Sequence, residues 1–141
     1  MRRSDASFDQ KQPDLLTFFL DWNLGKHVIA NTLREAGARV EIHDDHFPVG
    51  AQDNEWLPAV GKKGWVVLTK DQRIRHRGLE LKALMDARVK AFVLTTGNLR
   101  GLEMAAIFVK ALPAIQRCVH KNDHPFIARI SKQGQVTLIQ P

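Results

Sequence analysis

Three aspartates, Asp21, Asp53 and Asp71, are the residues of this chain whose type and spacing most directly suggest chemistry. Asp21 closes the apolar run Thr17-Phe18-Phe19-Leu20, Asp71 closes Trp65-Val66-Val67-Leu68-Thr69-Lys70, and Asp53 opens the segment that leads into the second run. Short apolar runs closed by a polar residue have the pattern of buried strands. Carboxylates gathered at such ends repel one another unless a raised pKa or a bound cation relieves them. Hard oxygen donors with little sulfur or imidazole suit Mg²⁺ or Mn²⁺, which keep most of their waters and take substrate phosphate. Residues 62–77 place Lys62, Lys63, Lys70, Arg73, Arg75 and Arg77 around Asp71, and so hold most of the chain's net charge of +6. Acids that bind a cation inside a basic rim meet the needs of metal-assisted phosphodiester hydrolysis, in which the metal lowers the pKa of the attacking water and cationic side chains offset phosphate charge. Thr95-Thr96-Gly97-Asn98 follows another apolar run and adds Asn98 as a candidate donor to the metal.

Each of these residues also has a plainer role open to it. Asp21 and Asp71 suit polar strand ends, Asp53 suits a helix N-cap that accepts the amide of Glu55 or Trp56, and Asn98 suits a cap of the helix after it. The basic run taken alone reads as a solvated loop and helix start. Asp53 and Glu55 lie two apart on a helix and do not share a face, and of the two Asp53 is the candidate ligand. His43-Asp44-Asp45-His46 offers imidazoles and carboxylates, but its spacing matches no helical i, i+4 pair and lacks a third strong anchor. His120 and His124 form a similarly weak pair. Cys118 on an apolar helix reads as core, as do Trp56 and Trp65, whereas Trp22 beside Asp21 stays open between packing and base stacking.

The elements that must position these groups alternate. A strand over 17–20 is followed by helical spacing from Leu24 through Val28, Ile29 and Leu33 to Ala36, with Gly37 as C-terminal cap. Ala38 to Ile42 alternates as a half-buried strand. Asp53 opens a second helix with Trp56, Leu57 and Val60 on one face and Gly61 or Gly64 at its end, and Pro58 predicts that it is short or distorted. Strand 65–69, a helix around Leu79 to Met85, strand 91–94 and a long helix from Gly101 to about Val119, bent at Pro113, follow. Phe126 to Ile130 and Val136 to Ile139 read as a hairpin about Gln133-Gly134. This order predicts an α/β fold with a mostly parallel central sheet, helices on both faces and a C-terminal hairpin. In such sheets the site lies beyond the carboxyl ends of the strands, where Asp21, Asp71 and Asn98 fall.

Length and composition bound the rest. At 141 residues the chain predicts one domain over 15–141, preceded by a mobile, aperiodic tail over 1–14. With 44% hydrophobic and 26% charged residues it is neither disordered nor fibrous. Twenty-one Lys and Arg against 15 Asp and Glu favour a polyanionic partner, with nucleic acid first. A single cysteine excludes an internal disulfide and fits a reducing, cytoplasmic setting, and no apolar run approaches a membrane span.

Phe19-Leu20-Asp21-x-Asn23-Leu24, Leu33-Arg34-Glu35-Ala36-Gly37, Asp53-x-Glu55-Trp56-Leu57 and Trp65-Val66-Val67-Leu68-Thr69-Lys70-Asp71, with the Arg73-Ile74-Arg75 continuation and the Phe126 segment, resemble the PIN-like domains, specifically the compact branch related to VapC-type toxins of toxin–antitoxin modules. The resemblance spans about residues 17 to 130. It implies a three-layer sandwich and a Mg²⁺- or Mn²⁺-dependent ribonuclease, held inactive by a small antitoxin protein and forming a homodimer. Carried over by position, Asp21, Asp53 and Asp71 match family acids; on the reading of this sequence's basic rim and strand ends, Lys70, Arg73, Arg75 and Arg77 lie on the RNA and Asn98 contributes to the metal. The helical Glu that the family commonly places between its first and third acids has no clear match, and Glu35 sits at a helix end. The competing class is a PIN-like RNA-binding module that does not cleave. A phospho-accepting receiver domain shares the strand-end acids but wants a paired acid and a Lys after a fifth strand, and neither is evident.

Overall fold

The computed structural model describes residues 16–24, 27–48, 50–51, 53–70, 78–95, 99–123 and 125–140. The N-terminal stretch expected to be a mobile tail lies outside the described residues. The chain forms β1 (Thr17–Leu20), α1 (Val28–Glu35), β2 (Arg39–Ile42), α2 (Asp53–Lys63), β3 (Val66–Thr69), α3 (Gly78–Asp86), β4 (Lys90–Leu94), α4 (Gly101–Lys121), β5 (Phe126–Ile130) and β6 (Val136–Gln140). Short 3₁₀ turns cover Trp22–Leu24 and His43–Asp45. The strands make one sheet in the order β2-β1-β3-β4-β5-β6, parallel throughout except for the antiparallel β6. This is the predicted α/β sandwich with its C-terminal hairpin.

Burial separates edge from centre. Phe18, Phe19 and Leu20 of β1 are all buried, as are the four residues of β3, because side chains on both faces meet helices. The first residue of edge strand β2, Arg39, is exposed, and Val40 and Ile42 are buried. One face of the sheet, with Phe18, Leu20, Val66, Leu68, Phe92 and Leu94, packs on Ile29 and Leu33 of α1 and on Ala105, Phe108 and Ala111 of α4. The other, with Phe19, Val67, Ala91 and Val93, packs on Trp56, Leu57 and Val60 of α2 and on Leu84 of α3. From β1 the chain steps one way to β2, then crosses back over β1 to β3, so right-handed crossovers put α1 and α2 on opposite faces. The topological switch point, where sheets of this kind form a crevice, therefore falls between β1 and β3 at their carboxyl ends.

The helix ends differ in detail from the sequence pattern. Helical spacing from Leu24 made the first helix begin four residues early. Leu24 instead closes a 3₁₀ turn, its amide donating to the Asp21 carbonyl at 2.9 Å, and its buried side chain keeps the apolar period without being helical. Gly37 caps α1 as expected: at φ +96° it lets its own amide reach the Arg34 carbonyl at 2.9 Å and the Ala38 amide reach that of Leu33 at 3.0 Å. Gly64, at φ +73°, ends α2 in the same manner. Gly61 does other work, since a Cβ there would run into the Ala87 carbonyl oxygen. Helix α2 continues through Pro58 for its full 11 residues and is not short. Pro113 likewise lies within the 21-residue α4.

Candidate active site

Asp21 stands at the β1 end of this crevice. The parallel register pairs Leu20 with Leu68, and the Asp21 amide continues the ladder by donating to the Leu68 carbonyl at 3.0 Å. That pairing sets Asp21 beside Thr69, the last residue of β3. The Thr69 hydroxyl donates to Asp21 Oδ2 at 2.9 Å and accepts from Asn23 Nδ2 at 3.3 Å. Thr69 is fully buried and Asp21 is 5% exposed, so the carboxylate is withdrawn from bulk water and kept in place by a neutral donor. The turn after it is held twice, by the Leu24 amide on the Asp21 carbonyl and by Asn23 on Thr69.

Lys70 follows Thr69 and is exposed, as a phosphate-contacting cation must be. Asp53 is the first residue of α2, but its side chain lies outside the described residues. Asp71, Arg73, Arg75, Arg77 and Asn98 also lie outside them. Glu55 and Glu35 are both exposed, and Glu35 is the last residue of α1, at the end away from the β1 carboxyl terminus. It is therefore not the missing family acid of this crevice.

The other polar candidates are dispersed. His43 follows β2, is 1% exposed, and lies among the rings of Phe19, Phe47 and Trp56 at centroid distances of 6.0, 5.5 and 5.8 Å. Among the described residues neither of its ring nitrogens has a hydrogen-bond partner, and Nδ1 stays 3.6 Å from Asp44 Oδ1. His46 turns instead to Glu41 Oε1 at 2.7 Å. Among the described residues no three His, Cys, Asp or Glu side chains are grouped so as to hold a metal ion. His124 lies outside the described residues. Burial pushes the Cys118 thiol up, with the Asn122 amide 3.7 Å away acting in the opposite sense. Trp56 is buried in the core; Trp65 precedes β3 and is only half-buried, stacked on Phe19 at 5.9 Å with Lys63 Nζ 5.1 Å from its ring.

Thr69 and Asn23 are the residues of the crevice that the sequence did not mark as site residues. Both fall within the runs that resemble PIN-like domains, but only the pairing of β1 with β3 brings them to Asp21. Asp21 itself, with a hydroxyl and a carboxamide around it, is a hard-oxygen donor of the kind that suits Mg²⁺ or Mn²⁺.

The PIN like domain family matches residues 16–96, more than half of the chain, and the chain belongs to that family. Over 118 residues it is 27% identical to "Putative ribonuclease VapC45" of Mycobacterium tuberculosis, covering 81% of this chain and 85% of that protein. No solved structure matches it.

Proposed function

We propose that this PIN-like protein is a divalent-metal-dependent ribonuclease and the toxin of a toxin–antitoxin module, controlled by an antitoxin protein. The observation that carries the reading is Asp21, a buried carboxylate fixed by Thr69 at the crevice between β1 and β3, in a chain similar over most of its length to a protein named as a ribonuclease. Asp21, Asp53 and Asp71 would hold Mg²⁺ or Mn²⁺, with Asn98 as a further contributor. When bound, the cation supplies a Lewis acid and a water of lowered pKa. The chain's own part is to bind and orient. Thr69 fixes one oxygen of Asp21, and the exposed Lys70, with Arg73, Arg75 and Arg77, neutralises the RNA backbone on either side of the scissile phosphate.

The test is cleavage of a pool of tRNA and structured RNA by the purified protein with Mg²⁺ or Mn²⁺, beside a chelator control and the Asp21→Asn variant. Asparagine keeps the shape and removes the charge. Cutting that stops in both controls, with circular dichroism unchanged, supports the nuclease. Metal-independent cutting that survives Asp21→Asn refutes it. Salt-sensitive RNA binding with no cutting of any substrate selects the non-catalytic binding module.

A further inference from the structure

We propose that Trp22 is a stacking platform for an unpaired RNA base beside the scissile phosphate, next to Asp21; the inference rests on the nuclease reading above and names a substrate contact within it. Trp22 exposes 63% of its surface, although Asp21 before it and Leu24 after it are each 5% exposed. An indole carries one of the largest apolar surfaces of any side chain and ordinarily buries most of it. Here the backbone prevents that. The Asp21 amide is tied to Leu68 at 3.0 Å, the Leu24 amide to Asp21 at 2.9 Å, and the Asn23 side chain to Thr69 at 3.3 Å, so the turn that carries Trp22 is fixed on both sides. The ring projects from a rigid support at little entropic cost to binding.

The two other tryptophans make the contrast. Trp56 is fully buried between Phe19 and His43, and Trp65 stacks on Phe19, whereas Trp22 makes no ring contact among the described residues. Its neighbours favour a nucleotide over an apolar protein surface. Trp22 and Lys70 directly follow Asp21 and Thr69, the two residues joined by the 2.9 Å hydrogen bond, and Lys70 is exposed. A π-face and an ammonium that each follow one member of that bonded pair match a base and its phosphate. Exposed Val28 and Leu102 belong to a separate groove of about 460 Å³ between α1 and α4, with Arg100 and Glu103. Aliphatic side chains lend no π-face to a base, so that groove is not part of the platform.

The experiment uses a labelled single-stranded RNA of about 12 nucleotides with chelator present, so that binding is read without cleavage. Anisotropy should show Trp22→Ala binding about 10-fold or more weakly, Trp22→Phe restoring most of the loss and Trp22→Leu restoring little. RNA should quench tryptophan emission in the wild type but far less in Trp22→Phe, where the buried Trp56 and the half-buried Trp65 remain. Leucine binding as well as tryptophan, or emission unmoved by saturating RNA, overturns the proposal. So does an unchanged RNA affinity in Trp22→Ala together with a change in oligomeric mass, which would make the indole a protein contact. Cleavage by Asp21→Asn at the wild-type rate refutes the nuclease reading separately, whatever Trp22 does.

Discussion

Thr69→Val removes one oxygen from the candidate site and little else. Valine has nearly the shape of threonine and suits a β-strand, so the fully buried position stays filled. What disappears is the hydroxyl that donates to Asp21 Oδ2 at 2.9 Å and accepts from Asn23 at 3.3 Å. A hydrogen bond to a charged group contributes about 1.5–3 kcal/mol, and the added methyl returns about 0.8 kcal/mol of burial. The net expectation is a loss of about 1–2 kcal/mol in urea unfolding. Cleavage should fall further than stability would suggest, by about 10- to 100-fold in kcat, because the carboxylate loses one of the contacts that orient it. Thr69→Ser keeps the hydroxyl and should cleave within a few-fold of wild type. A valine variant within about 0.5 kcal/mol of wild type and equally active refutes the positioning role. A valine variant that is destabilised yet cleaves normally makes the bond structural only.

Three further outcomes follow from the packing. His43→Phe removes two buried nitrogens without partners from an aromatic surrounding and should raise unfolding stability by about 1 kcal/mol; a drop in the urea midpoint would show that the imidazole has a partner in solution. Gly61→Ala should cost about 3 kcal/mol, since its Cβ meets the Ala87 carbonyl and comes within 3.2 Å of Val89 Cγ2. Gly64→Ala, at φ +73° with open space around it, should cost only about 1–2 kcal/mol, and thermal scans that reverse this order would contradict the close approach of α2 to the end of α3. Burial raises the Cys118 thiol, so above about pH 8.5 the unfolded chain loses that proton first, the native state holds more protons, and stability falls as pH rises. Cys118→Ala should remove this component of the alkaline decline, which paired urea titrations at pH 7 and pH 9.5 would detect.

Most of the fold was readable because each element has its own period. The unbroken apolar runs Phe18-Phe19-Leu20 and Val66-Val67-Leu68 mark strands covered on both faces, and Arg39-Val40-Glu41-Ile42 alternates as an edge strand does. Periodicity fails where another structure preserves it. Leu24 buries its side chain from a 3₁₀ turn at a position that continues the period of α1, so spacing alone merges the two. Two glycines at the end of α2 look alike in sequence. The difference between them, a positive φ at Gly64 and close packing at Gly61, depends on the loop after α3. Pro58 was a poor guide because, although it is the sixth residue of the 11-residue helix, the buried Trp56, Leu57 and Val60 hold that helix to the sheet.

The candidate site divides along a different line. Asp21 could be picked out locally, as a charge closing an apolar run, but the support for it could not. Thr69 lies 48 residues away, and only the return of the chain across β1 to β3 makes the two residues neighbours. Folding alone would bury the indole of Trp22 and expose the carboxylate of Asp21; the turn after β1 does the reverse, with 63% of Trp22 and 5% of Asp21 exposed. Burial of the carboxylate carries a desolvation cost that Thr69 offsets, and exposure of the indole forgoes apolar burial. Two adjacent residues that each work against stability are what the proposed reading asks of this turn, a carboxylate for a cation that takes a phosphate and a flat apolar face for the base beside it. A nucleotide has both parts in one molecule.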